Sequence, residues 1–150
     1  MNTSVTSEKD ILEACRQLVS DKGLSFLNMR AVAKSCGVAL GSLYYYFPSK
    51  NDLLIATIES VWEDIFRIKD TDISKLPFPE FIDRCFGHIQ LGIQRYPNFF
   101  TIHSISFSTK SQNKARDSME HYLAQIKEQM LSSLHADERV CKDAFSTDFS

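Results

Sequence analysis

Leu40, Ser42, Tyr44 and Tyr45 take outward positions on a short predicted helix, Ala39 to Phe47, and their side chains suit the edge of a nucleobase. A leucine packs on a thymine methyl, and a hydroxyl such as that of Ser42 hydrogen-bonds a base or a phosphate oxygen. Gly41 lets the backbone come close. Arg30, one element earlier, carries the planar fork that fits guanine. Lys50 opens a longer helix, where its ammonium and the N–H groups of the first turn can together hold a phosphate. Asn28, Tyr44 and Tyr46 can donate to phosphate as well. The chemistry on offer is the reading of a DNA duplex; the plainer alternative is that the tyrosines only pack the surrounding helices.

Two short helices and a tight turn must hold these groups in place. Asn28 caps the first, whose apolar positions Met29, Val32, Ala33 and Cys36 recur at one-turn spacing. Gly37 stands where a left-handed residue ends a helix, and Val38 is expected to plug the turn. Leu43 and Phe47 turn the second helix inward, and Pro48 stops it. That arrangement is a helix-turn-helix, whose second helix enters the major groove.

Upstream, a Ser7–Asp10 capping box opens a helix to about Lys22, with Ile11, Leu12, Cys15, Leu18 and Val19 inward and Gly23 as its stop; Leu24 and Phe26 are expected to pack beneath it. Downstream, Ser49 and Asp52 cap a long helix to about Lys69, bearing Leu53, Leu54, Ile58, Val61, Trp62, Ile65 and Phe66. It is the one element that reaches both the duplex-reading part and the rest of the chain. Asp70 to Phe78 reads as a connector. A helix to Arg95 follows, with Phe81, Ile82, Cys85, Phe86, Ile89 and Ile93 inward, then a short helix capped by Asn98 and running from Phe99 to about Phe107. A polar loop, Ser108 to Gln112, precedes a helix from about Asn113 to Leu134 with Tyr122, Leu123, Ile126, Met130 and Leu131 inward, and Asp137 to Phe149 begins one more. The expected fold is all-α: a helix-turn-helix head over residues 1–48 and a helical body over 49–150.

Composition adds bounds. The chain of 150 residues has a net charge of −2. Residues 1–50 hold six Lys and Arg against four Asp and Glu, and the remainder eleven against fifteen, so the head is the basic end. Cys15, Cys36, Cys85 and Cys141 are too far apart for a zinc pattern; buried thiols are the bland reading, with a redox role for Cys85 or Cys141 as the alternative. His88, His103 and His121 fall on three successive helices, where convergence on a ligand competes with plain surface or core placement. No apolar run is long enough to span a membrane, and a cytoplasmic location is expected. No nucleophile elbow, zinc-protease, phosphate-loop or dinucleotide pattern occurs, so neither enzymatic turnover, cofactor nor metal is expected.

The run GVALGSLYYYFPSKNDLL, with Gly37, Val38, Gly41, Leu43, Tyr44, Phe47, Lys50 and Leu53 in register, resembles the signature of TetR/AcrR-type transcriptional regulators. Gly23, Arg30 and Ala33 also fit, and the likeness spans roughly residues 8–60. Ala39 stands where Ser or Thr is usual, leaving the second helix without a side-chain cap, and Tyr46 stands where His is usual, with its hydroxyl as the available donor. The resemblance implies a homodimeric, ligand-responsive repressor on a palindromic operator. It implies a small apolar or aromatic effector held among the body helices by Trp62, Phe66, Phe86, Phe99, Phe100, His103, Phe107 and Tyr122; the alternative is that these rings fill a core. It also implies two further C-terminal helices that pair with a partner subunit, so a chain ending at Ser150 is short for the family. Two rival functions stand beside this one: an interaction module that no longer reads DNA, and a small helical enzyme.

Overall fold

The structure is a computed structural model that describes residues 7–66, 75–97, 99 and 109–141. Among these, every regular element is helical: α1 (Glu8–Lys22), a 3₁₀ turn (Leu24–Phe26), α2 (Met29–Cys36), α3 (Leu40–Tyr46), α4 (Lys50–Phe66), α5 (Phe78–Arg95) and α6 (Thr109–Ala136). The expected all-α class is what is found. The connector at 70–74, the Asn98 cap, the short helix through Phe107 and the segment 142–149 lie outside the described residues.

The chain's own caps set the boundaries of the head. Ser7 and Asp10 exchange hydrogen bonds at the start of α1, with Asp10 N–H to Ser7 Oγ at 3.2 Å and Ser7 N–H to Asp10 Oδ2 at 3.0 Å. Asn28 Oδ1 accepts from Ala31 N–H at 2.9 Å to open α2. Gly37 ends it at φ 66°, ψ 29°, a left-handed conformation that a side chain would resist. The 3₁₀ turn changes one expectation. At three residues per turn Leu24 and Leu27 share a face, so these two are buried, while Phe26 is 58% exposed. Val38 is half-buried rather than sealed in the turn.

α4 is the axis of the molecule. Besides the expected stripe it buries Ile55, Thr57 and Ser60, because α1 covers one flank and α5 and α6 cover others. The buried hydroxyls are satisfied: Thr57 donates to the Leu53 carbonyl at 2.7 Å, and Ser60 accepts from the Arg16 guanidinium. One continuous core runs along this helix, from Ile11 and Leu43 in the head through Ile58 and Trp62 to Ile126 on α6.

The two later helices turn differently from their apolar patterns. α5 meets α4 at Gly92, where an added Cβ would lie 2.9 Å from Ile65 Cγ1 and 3.2 Å from its Cα. That close approach fixes the inward line as Phe81, Cys85, Gly92 and then Tyr96. Phe86 and Ile93, one residue or about 100° off the line, end up 62% and 46% exposed. α6 starts at Thr109, earlier than the expected loop allowed. Among the described residues it packs against α4 and α5 through a single stripe of Met119, Tyr122, Ile126, Met130 and Ser133, and Leu123 and Leu131 are exposed. Beyond α6, residues 137–140 form turns. There Asp137 accepts the Phe78 N–H at 2.7 Å and three donors from Arg139, which ties the start of α5 to the end of α6.

Candidate nucleic-acid interface

α3 has only seven residues, and its exposure follows from where Leu43 points. Leu43 is fully buried and Phe47 is 4% exposed, so the helix is pinned along that line. At 100° per residue Gly41 and Tyr45 then lie opposite the core, with Ser42 and Tyr44 on the flanks. The observed burial agrees: Gly41 and Ser42 are exposed, Tyr44 is 45% exposed and Tyr45 is 83% exposed. An added Cβ on Gly41 would meet nothing within 4 Å, so the crest of the helix is bare there.

Leu40 departs from the expected outward placement: it sits about 60° from the inward direction, is half-buried and packs against the core. Tyr46 is likewise half-buried and packed against the core. Tyr46 also meets the Tyr45 ring edge to face at 5.3 Å between centroids, which steadies the outer tyrosine. The exposed face is therefore Gly41, Ser42, Tyr44 and Tyr45, with Leu40 at its margin.

α3 starts without a side-chain cap, as Ala39 implied, although its backbone has the extended conformation of an N-cap (φ −67°, ψ 146°). Asn28, Arg30 and Lys50 are all exposed. At the start of α4, Ser49 Oγ accepts the Asp52 N–H at 3.2 Å and donates to the Asp52 carboxylate at 2.6 Å. Lys50, the first residue of that helix, stands beside this cap.

Lys34 was missed in the sequence, and it is exposed in the last turn of α2. The signal that could have found it is local charge. From Lys22 to Asn51 the chain carries Lys22, Arg30, Lys34 and Lys50 and no carboxylate at all. Whole-segment totals dilute this, because the acids of the first fifty residues are all on α1 or its end.

Behind the head, a polar network joins α1 to the body. Arg95 Nη1 donates to Asp64 Oδ2 at 2.7 Å, and the Tyr96 hydroxyl donates to the same oxygen at 2.8 Å. Ser20, near the end of α1, donates to the Arg95 carbonyl at 2.8 Å. Burial works to raise the Asp64 carboxyl, but the hydrogen bonds from Tyr96 and Arg95 with the nearby positive charge outweigh it and hold the group below its usual range. Burial and the Asp64 carboxylate push the Tyr96 phenol up to about 12.

The expected effector residues divide. Trp62 and Phe99 are fully buried, Phe66 nearly so and Tyr122 half-buried. Trp62 stacks on Phe66 at 5.2 Å, Phe99 meets Trp62 edge to face at 5.2 Å, and Phe66 lies 6.5 Å from Tyr122. Phe86 points to solvent and joins none of them, for the reason given by Gly92. Phe100, His103 and Phe107 lie outside the described residues. His88 is half-buried and His121 exposed, and His121 is bonded to Gln125 at 3.0 Å. Among the described residues no three His, Cys, Asp or Glu side chains gather around a common point, and no helix is long and apolar enough to cross a membrane. Burial pushes the thiols of Cys15, Cys36 and Cys85 up, that of Cys15 to about 11, which makes them poor nucleophiles, while Cys141 is exposed.

Comparison with known proteins bears on the same segment. Residues 11–57 match the family model described as bacterial regulatory proteins, tetR family. The chain is 42% identical over 64 residues to the HTH-type transcriptional repressor KstR of Rhodococcus jostii, covering 43% of this chain and 30% of that protein. It is 42% identical over 48 residues to the HTH-type transcriptional regulator UidR of Escherichia coli, covering 32% and 24%. The aligned part thus spans less than a third of either relative's length. Two solved structures share the fold: a putative tetR family transcription regulator from Shewanella sp. PV-4 (TM-score 0.55, 24% identity, 83% of this chain and 68% of that one) and one from Vibrio parahaemolyticus (TM-score 0.53, 24% identity, 79% and 65%).

Proposed function

We propose, from the premise that this chain belongs to the TetR family, that it is a DNA-binding transcriptional regulator acting as a repressor, and that its α3 crest reads the major groove. The single observation that carries the reading is the bare ridge of Gly41, Ser42 and Tyr45 on a helix pinned by Leu43, in a stretch where Arg30, Lys34 and Lys50 are exposed and no carboxylate occurs between Lys22 and Asn51. Phosphate contacts from Lys50, Lys34, Asn28 and the Tyr44 hydroxyl position the head, and Ser42, Tyr45 and Arg30 contact base edges. The repressor sense rests on the similarity to KstR, a transcriptional repressor.

The chain functions as a homodimer on a palindromic operator, so that two α3 helices enter successive grooves about 34 Å apart. Residues 1–48 serve as the reading head and 49–150 as the regulatory body, and the DNA partner gives the protein a cytoplasmic workplace. A small ligand at the aromatic residues of α4 and α6 changes the body, and α4 conveys that change. The route is physical: Trp62 and Phe66 belong to the same helix as Lys50, and Asp64 is bonded through Arg95 and Tyr96 to the end of α1. The ligand must favour one head spacing over the other, since equal affinity for both shifts nothing.

The test is light-scattering mass with and without operator-sized duplexes, together with the salt dependence of binding for wild type and Lys50→Ala. A dimer whose salt slope falls by about one unit in the variant supports the reading. A protein that ignores every duplex but captures a specific protein partner would instead favour the interaction module.

A further inference from the structure

The exposed face of α3 is chemically narrow. Between Lys34 and Lys50 the sequence contains no Arg, Lys, His, Asn, Gln, Asp or Glu. The side chains that grip a base edge by its polar groups are Arg or Lys for guanine, Asn or Gln for adenine, and Asp or Glu for cytosine. None of them stands on this helix. It presents instead the Ser42 hydroxyl, which suits several bases alike, and apolar or aromatic surface. Tyr45 and Tyr44 are exposed, and Leu40 is half-buried at the margin. Tyr46, packed on the core, meets the Tyr45 ring edge to face, so the most exposed ring of the helix is held in place.

Thymine is the base that presents a methyl group in the major groove, and apolar side chains recognise it there. Gly41 favours the same contact. Its φ is not positive and an added Cβ would meet nothing within 4 Å, so neither the backbone nor the packing of the fold calls for glycine. In an uncapped helix of seven residues it forgoes the helix preference of alanine. A bare crest does let the Tyr45 ring and Leu40 come down to the floor of a groove. We infer, resting on the assignment of α3 to the major groove, that this helix selects its site by thymine methyl groups lying against the Tyr45 ring with Leu40 beside it, and not by the polar edges of guanine or adenine.

The experiment selects duplexes from a random library with the full chain and remakes the selected sequence with modified bases. Each thymine is replaced in turn by deoxyuridine, which lacks only the methyl group. Each T·A pair is also replaced by C·G and by 5-methylcytosine·G, which restores the methyl on a different polar edge. Deoxyuridine should weaken binding about four-fold for each thymine that α3 contacts. At the same positions 5-methylcytosine should bind at least about three-fold more tightly than cytosine. Tyr45→Phe keeps the ring and should keep the deoxyuridine effect. Tyr45→Ala should abolish that effect at one position or more, with thermal unfolding at the wild-type value. A selected duplex bound equally with and without its thymine methyls would overturn the inference and leave the DNA-reading assignment standing. So would a deoxyuridine effect undiminished at every position in Tyr45→Ala, because the methyls would then act through the shape of the duplex. A chain that selects no duplex refutes the inference and the assignment together.

Discussion

Gly92 and Gly87 lie five residues apart on α5, and the structure assigns opposite signs to the same substitution at each. At Gly87 an added Cβ meets nothing within 4 Å. Gly87→Ala should therefore gain the helix preference of alanine over glycine, about 1 kcal/mol. At Gly92 the same Cβ would lie 2.9 and 3.0 Å from the two γ-carbons of Ile65 and 3.2 Å from its Cα. The last of these is backbone, so a rotamer change alone cannot relieve it, and α5 must move away from α4. Such overpacking costs about 1–3 kcal/mol, against which the propensity gain of about 1 kcal/mol still counts. The net loss is about 0–2 kcal/mol, and the two variants should differ by about 1–3 kcal/mol. For a chain of this size that is about 2–12 °C in Tm, with Gly87→Ala above wild type and Gly92→Ala at or below it. Thermal unfolding followed by circular dichroism and by Trp62 emission reads the effect. If both variants rise together, α4 and α5 do not approach as described, and the placement of Tyr96 one turn later against Asp64 goes with it.

The remaining predictions concern caps and titration. Ala39 already has N-cap backbone geometry, so Ala39→Ser should stabilise the protein by about 0.5–1 kcal/mol, and Asn28→Ala should cost about 1 kcal/mol; urea unfolding checks both. The Tyr96 phenol, raised from 10.0 to about 12, keeps its full contribution below pH 10 and loses it as pH rises through about 12. The raised Cys15 thiol acts in the same direction, so the stability of wild type should fall across the alkaline range, and Tyr96→Phe should show a shallower fall than wild type. Asp64 works in the other direction: its depressed carboxyl stabilises the fold above the ordinary carboxylate range and ceases to do so as pH falls below it, so Asp64→Asn should flatten the acid limb of the stability curve.

The head was legible because its signals are local. A capping asparagine three residues before its donor, a glycine forced to positive φ and a proline after Phe47 each act within one turn, and all three are found where the pattern put them. Where the head was misread, the period was at fault. Phe26 follows a 3₁₀ turn rather than an α-helix, and Leu40 lies nearer to the Leu43 line than to the crest. The body was legible in class and in its long helices but not in their rotation. Apolar residues at 85, 86, 89 and 93 allow more than one inward face, and the choice was made by Gly92, whose missing side chain says nothing until Ile65 is opposite it. α6 shows the same ambiguity, with Tyr122 inward and Leu123 out. The ties between Asp64 and Tyr96 and between Asp137 and Phe78 span 32 and 59 residues, and no local pattern announces them.

The most direct measurement is the affinity of wild type and Tyr45→Ala for duplexes selected from a random library, with Tyr44→Ala and Ser42→Ala alongside. Tyr45 is 83% exposed, so its removal should leave the fold intact. If α3 reads the groove, Tyr45→Ala loses about ten-fold in affinity for its selected sequence, Ser42→Ala relaxes the preference at one position, and thermal unfolding of both stays at the wild-type value. Variants that bind the same sequences with the same strength would contradict the assignment of this helix to DNA.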